Sequence, residues 1–208
     1  MTAVWGAVVP VKLLAYAKSR LGAYGDVVRT ELALAFADDV VAAVLACADV
    51  LRAVVVTDDV RAADALRRPR VCVVRDLPGA GLNAALAHGA DLLRAADPGL
   101  GVVALASDLP ALRAAELADV LRRVAGRGFV ADTQGVGTTL LAASPGSALL
   151  PSYGPASRLR HLGSGAIELT AAPGLRRDVD TPEDLRSALL LGVGPRTAAV
   201  AASLHAVR

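Results

Sequence analysis

Short apolar runs alternate along this chain with longer stretches whose apolar residues recur at helical spacing. Residues 4–11, 51–57, 71–74 and 101–106 are built mainly from Val, Ala and Leu. Runs of that length and composition predict strands buried on both faces of a parallel sheet. The stretches 26–48, 60–66, 82–96 and 111–125 predict helices. The first carries its apolar stripe on Val27, Leu34, Val41 and Leu45. Beyond residue 125 the predicted strands crowd together, at 129–132, 138–142 and 166–170. A helix runs from the 153–161 segment to Gly163-Ser164-Gly165, and helices at 182–191 and 196–206 close the chain. Strands alternating with helices predict one α/β domain, parallel in its first half and mixed in its second.

The 208 residues are 54% hydrophobic but only 3% aromatic, so the core is made of Ala, Val and Leu rather than rings. A net charge of +2, with no polybasic run, gives no argument for nucleic acid or an anionic membrane. Cys47 and Cys72 lie in apolar surroundings without metal-ligand spacing, so they read as buried free thiols. Neither a signal core nor an apolar run of about 18 residues is present, and a cytoplasmic protein is the expectation.

The candidate chemistry lies at strand ends. Asp178 and Asp180 stand two apart in an extended run, which puts both carboxylates on one face. Thr181 reads as the N-cap and Pro182 as the first residue of the helix that follows. Asp108, in Ser107-Asp108-Leu109-Pro110, follows a central strand, where open α/β sheets place their ligands. Three such carboxylates without Cys or paired His favour a hard cation, and Mg²⁺ is the expectation. The loop after the first strand carries Lys12, Lys18 and Arg20, which suits a triphosphate although no Walker A sequence is present. Asn83 opens a helix, either as a cap or as a reader of a nucleobase edge. The glycines of Thr133-Gln134-Gly135-Val136-Gly137 would bring backbone N–H groups near a ligand. The helix start after Tyr153-Gly154-Pro155 is a candidate anion site. His88 and His205 read as structural or solvated, whereas His161 neighbours that anion loop. Together these features suit phosphoryl or nucleotidyl transfer.

The ordered set KxxxxAKSRL, LN, SDLP, GVGTT, YGPAS and DVDTPEDL spans essentially the whole chain and resembles one family. It is similar to the guanylyltransferases of coenzyme F-420 biosynthesis, which join GTP to phosphoenolpyruvate or 2-phospho-L-lactate. The resemblance implies a single-domain, Rossmann-like nucleotidyltransferase fold with a mixed, mostly parallel sheet flanked by helices. It implies that Asp108, Asp178 and Asp180 are catalytic and bind Mg²⁺. Lys12, Lys18 and Arg20 would bind the nucleotide phosphates, with Lys12 also counted as catalytic. Asn83 would lie near the guanine nucleotide, and Thr138, Gly154 and Ser157 would hold the acceptor's phosphate. The first loop lacks the Gly-Gly pair of the wider sugar-nucleotide and molybdenum-cofactor relatives.

The implied reaction is attack of the acceptor's phosphate on the α-phosphorus of GTP, with pyrophosphate leaving. A phosphate monoester is largely dianionic at neutral pH, its second pKa being about 6, so no strong base is required. Resemblance to the family's bacterial members, together with the Ala/Arg-rich composition, implies phosphoenolpyruvate as the acceptor, with 2-phospho-L-lactate and 3-phosphoglycerate as alternatives. A labile product makes handover to the next enzyme of the pathway an expectation. Loading of a sugar phosphate or molybdopterin, and a nucleotide-binding scaffold, are the rival readings.

Overall fold

The computed structural model describes residues 4–206. The first half lays down β1 (Trp5–Pro10), α1 (Asp26–Ala46), β2 (Val50–Val56), α2 (Val60–Leu66), β3 (Val71–Val74), α3 (Leu82–Ala96) and β4 (Gly101–Leu105). There follow α4 (Ala114–Arg122), β5 (Arg127–Ala131), β6 (Thr138–Ala143), α5 (Ser157–Gly163) and β7 (Ile167–Glu168). The chain ends with α6 (Pro173–Arg176), α7 (Pro182–Leu191) and α8 (Pro195–Ala206).

The strands form one sheet in the order β3-β2-β1-β4-β6-β5-β7. β1 pairs parallel with both β2 and β4, and β2 with β3. β6 is antiparallel to β4 and to β5, while β7 lies parallel to β5. The short 132–137 connection explains the reversal at β5 and β6, because a parallel return needs a crossover of about a dozen residues. The expected mixed, mostly parallel sheet is therefore present.

Period-2 alternation divides the strand residues between two buried layers. Ala7 and Val9 of β1, Val103 and Leu105 of β4, and Leu140 and Ala142 of β6 pack with α1, α2 and α4. Val8, Val102, Ala104, Leu141 and Ala143 pack on the other face with Ala85, Leu86, Ala90 and Leu93 of α3. Gly89 lets α3 approach, since a Cβ there would lie 2.5 Å from Val8 Cγ1. Asp39 of α1, itself buried, accepts the backbone N–H groups of Arg196 at 3.1 Å and Thr197 at 2.8 Å, and so caps and docks α8.

Four local expectations shift. The helix expected at 111–125 begins at Ala114, because Leu112 N–H bonds Leu109 O at 3.0 Å in a turn that uses up the preceding residues. The strand expected at 166–170 contracts to two paired residues at the sheet edge. The basic loop contains two tight turns, Leu14–Tyr16 and Ser19–Tyr24. The run before Asp178, read as extended, includes the single helical turn α6, started by Pro173 and closed by Arg177 N–H on Pro173 O at 2.9 Å. Among the described residues no helix is long and apolar enough to cross a membrane.

Candidate active site

The parallel strands β1 and β4 are neighbours, so the loops that leave their carboxyl ends face each other across one cavity of about 500 Å³. Lys12, Lys18, Arg20, Asp108, Asp178 and Asp180 line it. Thr138, Gly154 and Ser157 line it as well. Of the ten site residues that the family resemblance implies, Asn83 alone does not line it.

The acidic wall is built by pairing two chain segments. Val179 N–H donates to Asp108 O at 3.0 Å, which ties the Asp178–Asp180 segment to Asp108, three residues past β4. Val179 itself is buried with Leu21, Leu32, Phe36, Leu185 and Ala188, so its two acidic neighbours turn towards the cavity. The turn into α7 is closed by a reciprocal cap. Asp184 N–H donates to Thr181 Oγ1 at 3.2 Å, and Thr181 N–H donates to Asp184 Oδ2 at 3.0 Å.

The basic wall is held from beneath by Arg29, a buried residue of α1 that the sequence reading missed. Its guanidinium donates to the carbonyls of Leu14 at 3.2 Å, Ala15 at 2.9 Å and Ala17. Leu14 N–H is anchored by Asp59 Oδ2 at 2.8 Å. Lys18 adopts a left-handed backbone, φ 55°, and this turns its side chain inward. Its Nζ donates to Asp108 Oδ2 and, at 2.7 Å, to Asp180 Oδ1. Burial opposes the charge on Lys18, but Asp108 and Asp180 outweigh it and raise the amine above its ordinary value. Burial likewise pushes Asp180 up, and Lys18 with Arg20 and Lys12 brings it below the usual carboxylate range.

The three aspartates share a cavity wall but not one ligand shell. Among the described residues no three His, Cys, Asp or Glu side chains converge on a single metal position. Lys18 takes the place between Asp108 and Asp180. Two features of the wall nonetheless fit a hard cation. Asp108 Oδ1 is buried without a hydrogen-bond partner. Asp178 is raised to about 7, first by burial and then by Asp108, Asp180 and Asp132, so it lacks a compensating charge.

The third wall is polar and largely buried. Ser157 Oγ donates to Thr138 Oγ1 at 3.2 Å, and Thr138 Oγ1 lies 2.9 Å from Nδ1 of His161. His161 is fully buried and is lowered to about 4, first by burial and then by Arg160 and Arg127. The glycine-bearing loop before Thr138 is pinned internally. Asp132 accepts Val136 N–H at 2.9 Å and Gly137 N–H at 2.7 Å, so those amides, expected to face a ligand, are already engaged.

Asn83 departs from its expected place. Its Nδ2 donates to Tyr153 O at 3.0 Å and its Oδ1 accepts Tyr153 N–H at 2.6 Å. The amide clamps the loop that carries Gly154 and does not present an edge to a base. A second cavity of about 400 Å³ adjoins the first through Lys12, Tyr16 and Leu82, and bears Asp58 and Asp76 on its wall. His88 lies on α3 and lines neither cavity. The side chain of His205 lies outside the described residues.

A family model described as "Guanylyl transferase CofC like" matches residues 5–205. A phosphoenolpyruvate guanylyltransferase of Streptomyces coelicolor is 58% identical over 205 residues, covering 96% of this chain and 97% of its own. One from Thermomonospora curvata is 55% identical over 206 residues, covering 97% of this chain and 90% of its own. Among solved structures, a nucleotidyl transferase of Methanothermobacter thermautotrophicus superposes with a TM-score of 0.62 at 24% identity, covering 90% of this chain and 97% of its own. A CMP:2-keto-3-deoxy-manno-octonic acid synthetase complexed with CTP gives a TM-score of 0.57 at 15% identity, covering 92% of this chain and 98% of its own. The arrangement of the sheet is thus one that nucleotidyltransferases use.

Proposed function

The chain belongs to the CofC-like guanylyl transferase family, and on that premise we propose that it transfers GMP from GTP to phosphoenolpyruvate. The products are enolpyruvyl-diphospho-5'-guanosine and pyrophosphate, formed in the cytoplasm. The observation that carries the reading is the single cavity on which cations, acids and hydroxyls meet in separate walls. Two anionic reactants need that separation: one surface for each phosphate and a charged seam between them.

The triphosphate lies along Lys12 and Arg20, whose charges offset its own. The wall of Thr138, Gly154 and Ser157 holds the acceptor's phosphate, with Ser157 acting through the Thr138 oxygen to which its Oγ donates at 3.2 Å. One of that phosphate's oxygens attacks the α-phosphorus as the bond to pyrophosphate breaks. The nucleophile is already anionic, which agrees with a site where His161 is buried behind Thr138 and kept neutral. Asp108, Asp178 and Asp180 are the residues that would hold Mg²⁺, and the orphaned Asp108 Oδ1 supports this. A divalent cation held by these residues would offset phosphate charge and act as a Lewis acid on a phosphoryl oxygen.

The adjoining cavity is the seat for the base. Tyr16, 80% exposed, stands where both cavities meet and offers a ring to stack on it. Guanine presents adjacent N–H donors on its pairing edge, which a carboxylate accepts and adenine cannot imitate. Asp76 supplies that group. Its Oδ1 caps the following turn by accepting Gly79 N–H at 3.3 Å, whereas Asp58 is already paired with Arg75 at 3.3 Å.

Pyrophosphate release with Mg²⁺ tests the reading. GTP, ATP and CTP are each paired with phosphoenolpyruvate, 2-phospho-L-lactate and 3-phosphoglycerate, and product mass is measured. Release confined to GTP with phosphoenolpyruvate is expected. No release from any pairing, with GTP still bound, overturns it in favour of a scaffold.

A further inference from the structure

His161 touches no part of the cavity, yet its hydrogen bonds decide what one cavity residue can do. Ser152 N–H lies 3.0 Å from His161 Nε2. A backbone N–H only donates, so Nε2 must present its lone pair. A neutral imidazole carries one proton, which is then on Nδ1, and Nδ1–H donates across 2.9 Å to Thr138 Oγ1. Ser157 Oγ donates to the same oxygen at 3.2 Å.

A hydroxyl has two acceptor positions and one donor. Both acceptor positions of Thr138 are filled from within the protein. What remains is its O–H, and Thr138 lines the cavity. The ring is held against rotation by Phe129, with centroids 5.6 Å apart, and by Tyr153, edge-on at 5.3 Å. Turning it over would set a C–H against Ser152 N–H. Its depressed basicity keeps it neutral near pH 7, so it cannot donate from both nitrogens.

We propose that His161 is a positioning residue for the acceptor substrate, fixing the Thr138 hydroxyl as an obligate hydrogen-bond donor to that substrate's phosphate. The inference rests on the assignment of Thr138 to the acceptor phosphate. A donor-only hydroxyl favours a fully anionic oxygen, which only accepts, over a neutral hydroxyl, which could satisfy either role. The Ser157 hydroxyl, spent on Thr138, helps through the same oxygen. His161 therefore bears on the binding of the three-carbon phosphate and leaves the nucleotide's affinity alone.

Two amide variants separate the two ring nitrogens. His161→Asn places an N–H near the Nδ1 position and loses the partner of Ser152. His161→Gln reaches the Nε2 position and loses the donor to Thr138. The expected result is a KM for phosphoenolpyruvate raised roughly ten-fold in His161→Gln and raised about two-fold or less in His161→Asn, the KM for GTP being unchanged in both. In a Thr138→Val background His161→Gln then adds nothing, because the hydroxyl it acts on is gone. Equal effects of the two amides, or full additivity with Thr138→Val, overturn the proposal. Nitrogen NMR of the wild-type imidazole is independent of any variant's folding: a proton on Nδ1 is expected, and one on Nε2 overturns it. Wild-type protein that turns over no acceptor removes the underlying substrate reading instead, and the NMR result still stands as its own test of the tautomer.

Discussion

Lys18 Nζ lies 2.7 Å from Asp180 Oδ1 while also donating to Asp108, so one ammonium ties together acids that are 72 residues apart, 180 minus 108. Its side chain is only 12% exposed, and Asp108 is 21% exposed. The pair of contacts joins the loop after β1 to the loop after β4 and to the entry of α7. The same ammonium lines the cavity proposed for the triphosphate, so architecture and charge meet at one position.

Lys18→Met keeps the length of the side chain and removes its charge. Asp108 and Asp180 then face each other without the ammonium between them, and Asp180, 47% exposed, is partly relieved by solvent and by Arg20 at 3.8 Å. A loss of roughly 1–3 kcal/mol is expected, together with a fall in turnover on the order of 100-fold. Thermal melting and steady-state assay of the same preparation check both. A variant that melts and turns over like wild type removes Lys18 from the site.

Asp108→Asn and Asp178→Asn are expected to abolish turnover while leaving the fold intact, and Asp178→Asn carries a pH signature as well. Asp178 is raised in the folded protein from 3.8 to about 7. Its favourable contribution is complete below the ordinary value and is lost as the pH rises through about 7. The ionised carboxylate is then buried against Asp108, Asp180 and Asp132. At about pH 8, in the absence of divalent metal, Asp178→Asn therefore melts at or above wild type although it is inactive. Melting scans in chelator with circular dichroism test this, and a variant that melts well below wild type contradicts it.

The sheet and most cavity residues were legible because each follows from a local pattern. Continuous apolar runs marked β1, β2 and β4, and a polar residue just past such a run, as Asp108 is past β4, comes to rest at the ligand edge. Asp178 and Asp180 were legible from their period taken together with the acid at Asp108. The partners of Asn83 were not, because the backbone it clamps lies 70 residues later. Nor was the inward turn of Lys18, which depends on a left-handed backbone at a residue whose type does not ask for one. Arg29 belongs to no motif, and its carbonyl partners lie in the preceding turns. His161 is linked to Ser152 and Thr138, two segments brought together only when β6 is inserted between β4 and β5.

Asp76→Asn tests the seat of the base. The amide retains an acceptor oxygen but sets an N–H₂ group against the donors of guanine. The preference for GTP over ATP, taken as the ratio of kcat/KM values, is expected to fall by one to two orders of magnitude, about 10- to 100-fold. Most of the change should come from the loss of GTP turnover at low concentration. An unchanged ratio places base recognition on another wall of the cavity.

His161 gives the fold an acid limit whose sign follows from its environment. Its folded value, about 4, lies below the ordinary 6.5 because burial disfavours the charged ring and Arg160 and Arg127 oppose it. The unfolded chain therefore takes up a proton before the folded one does as the pH falls. The stability linked to this ring is complete above 6.5 and is lost as the pH falls towards 4, by roughly 3 kcal/mol in all. Tyr153, the other polar ring against it, is raised by burial and stays neutral throughout that range. His161→Asn lacks the titrating ring and is expected to melt lower than wild type at pH 7 but to lose less stability between 6.5 and 4. Denaturant unfolding of both proteins across that interval measures the difference, and parallel curves would mean that the acid loss arises from other groups.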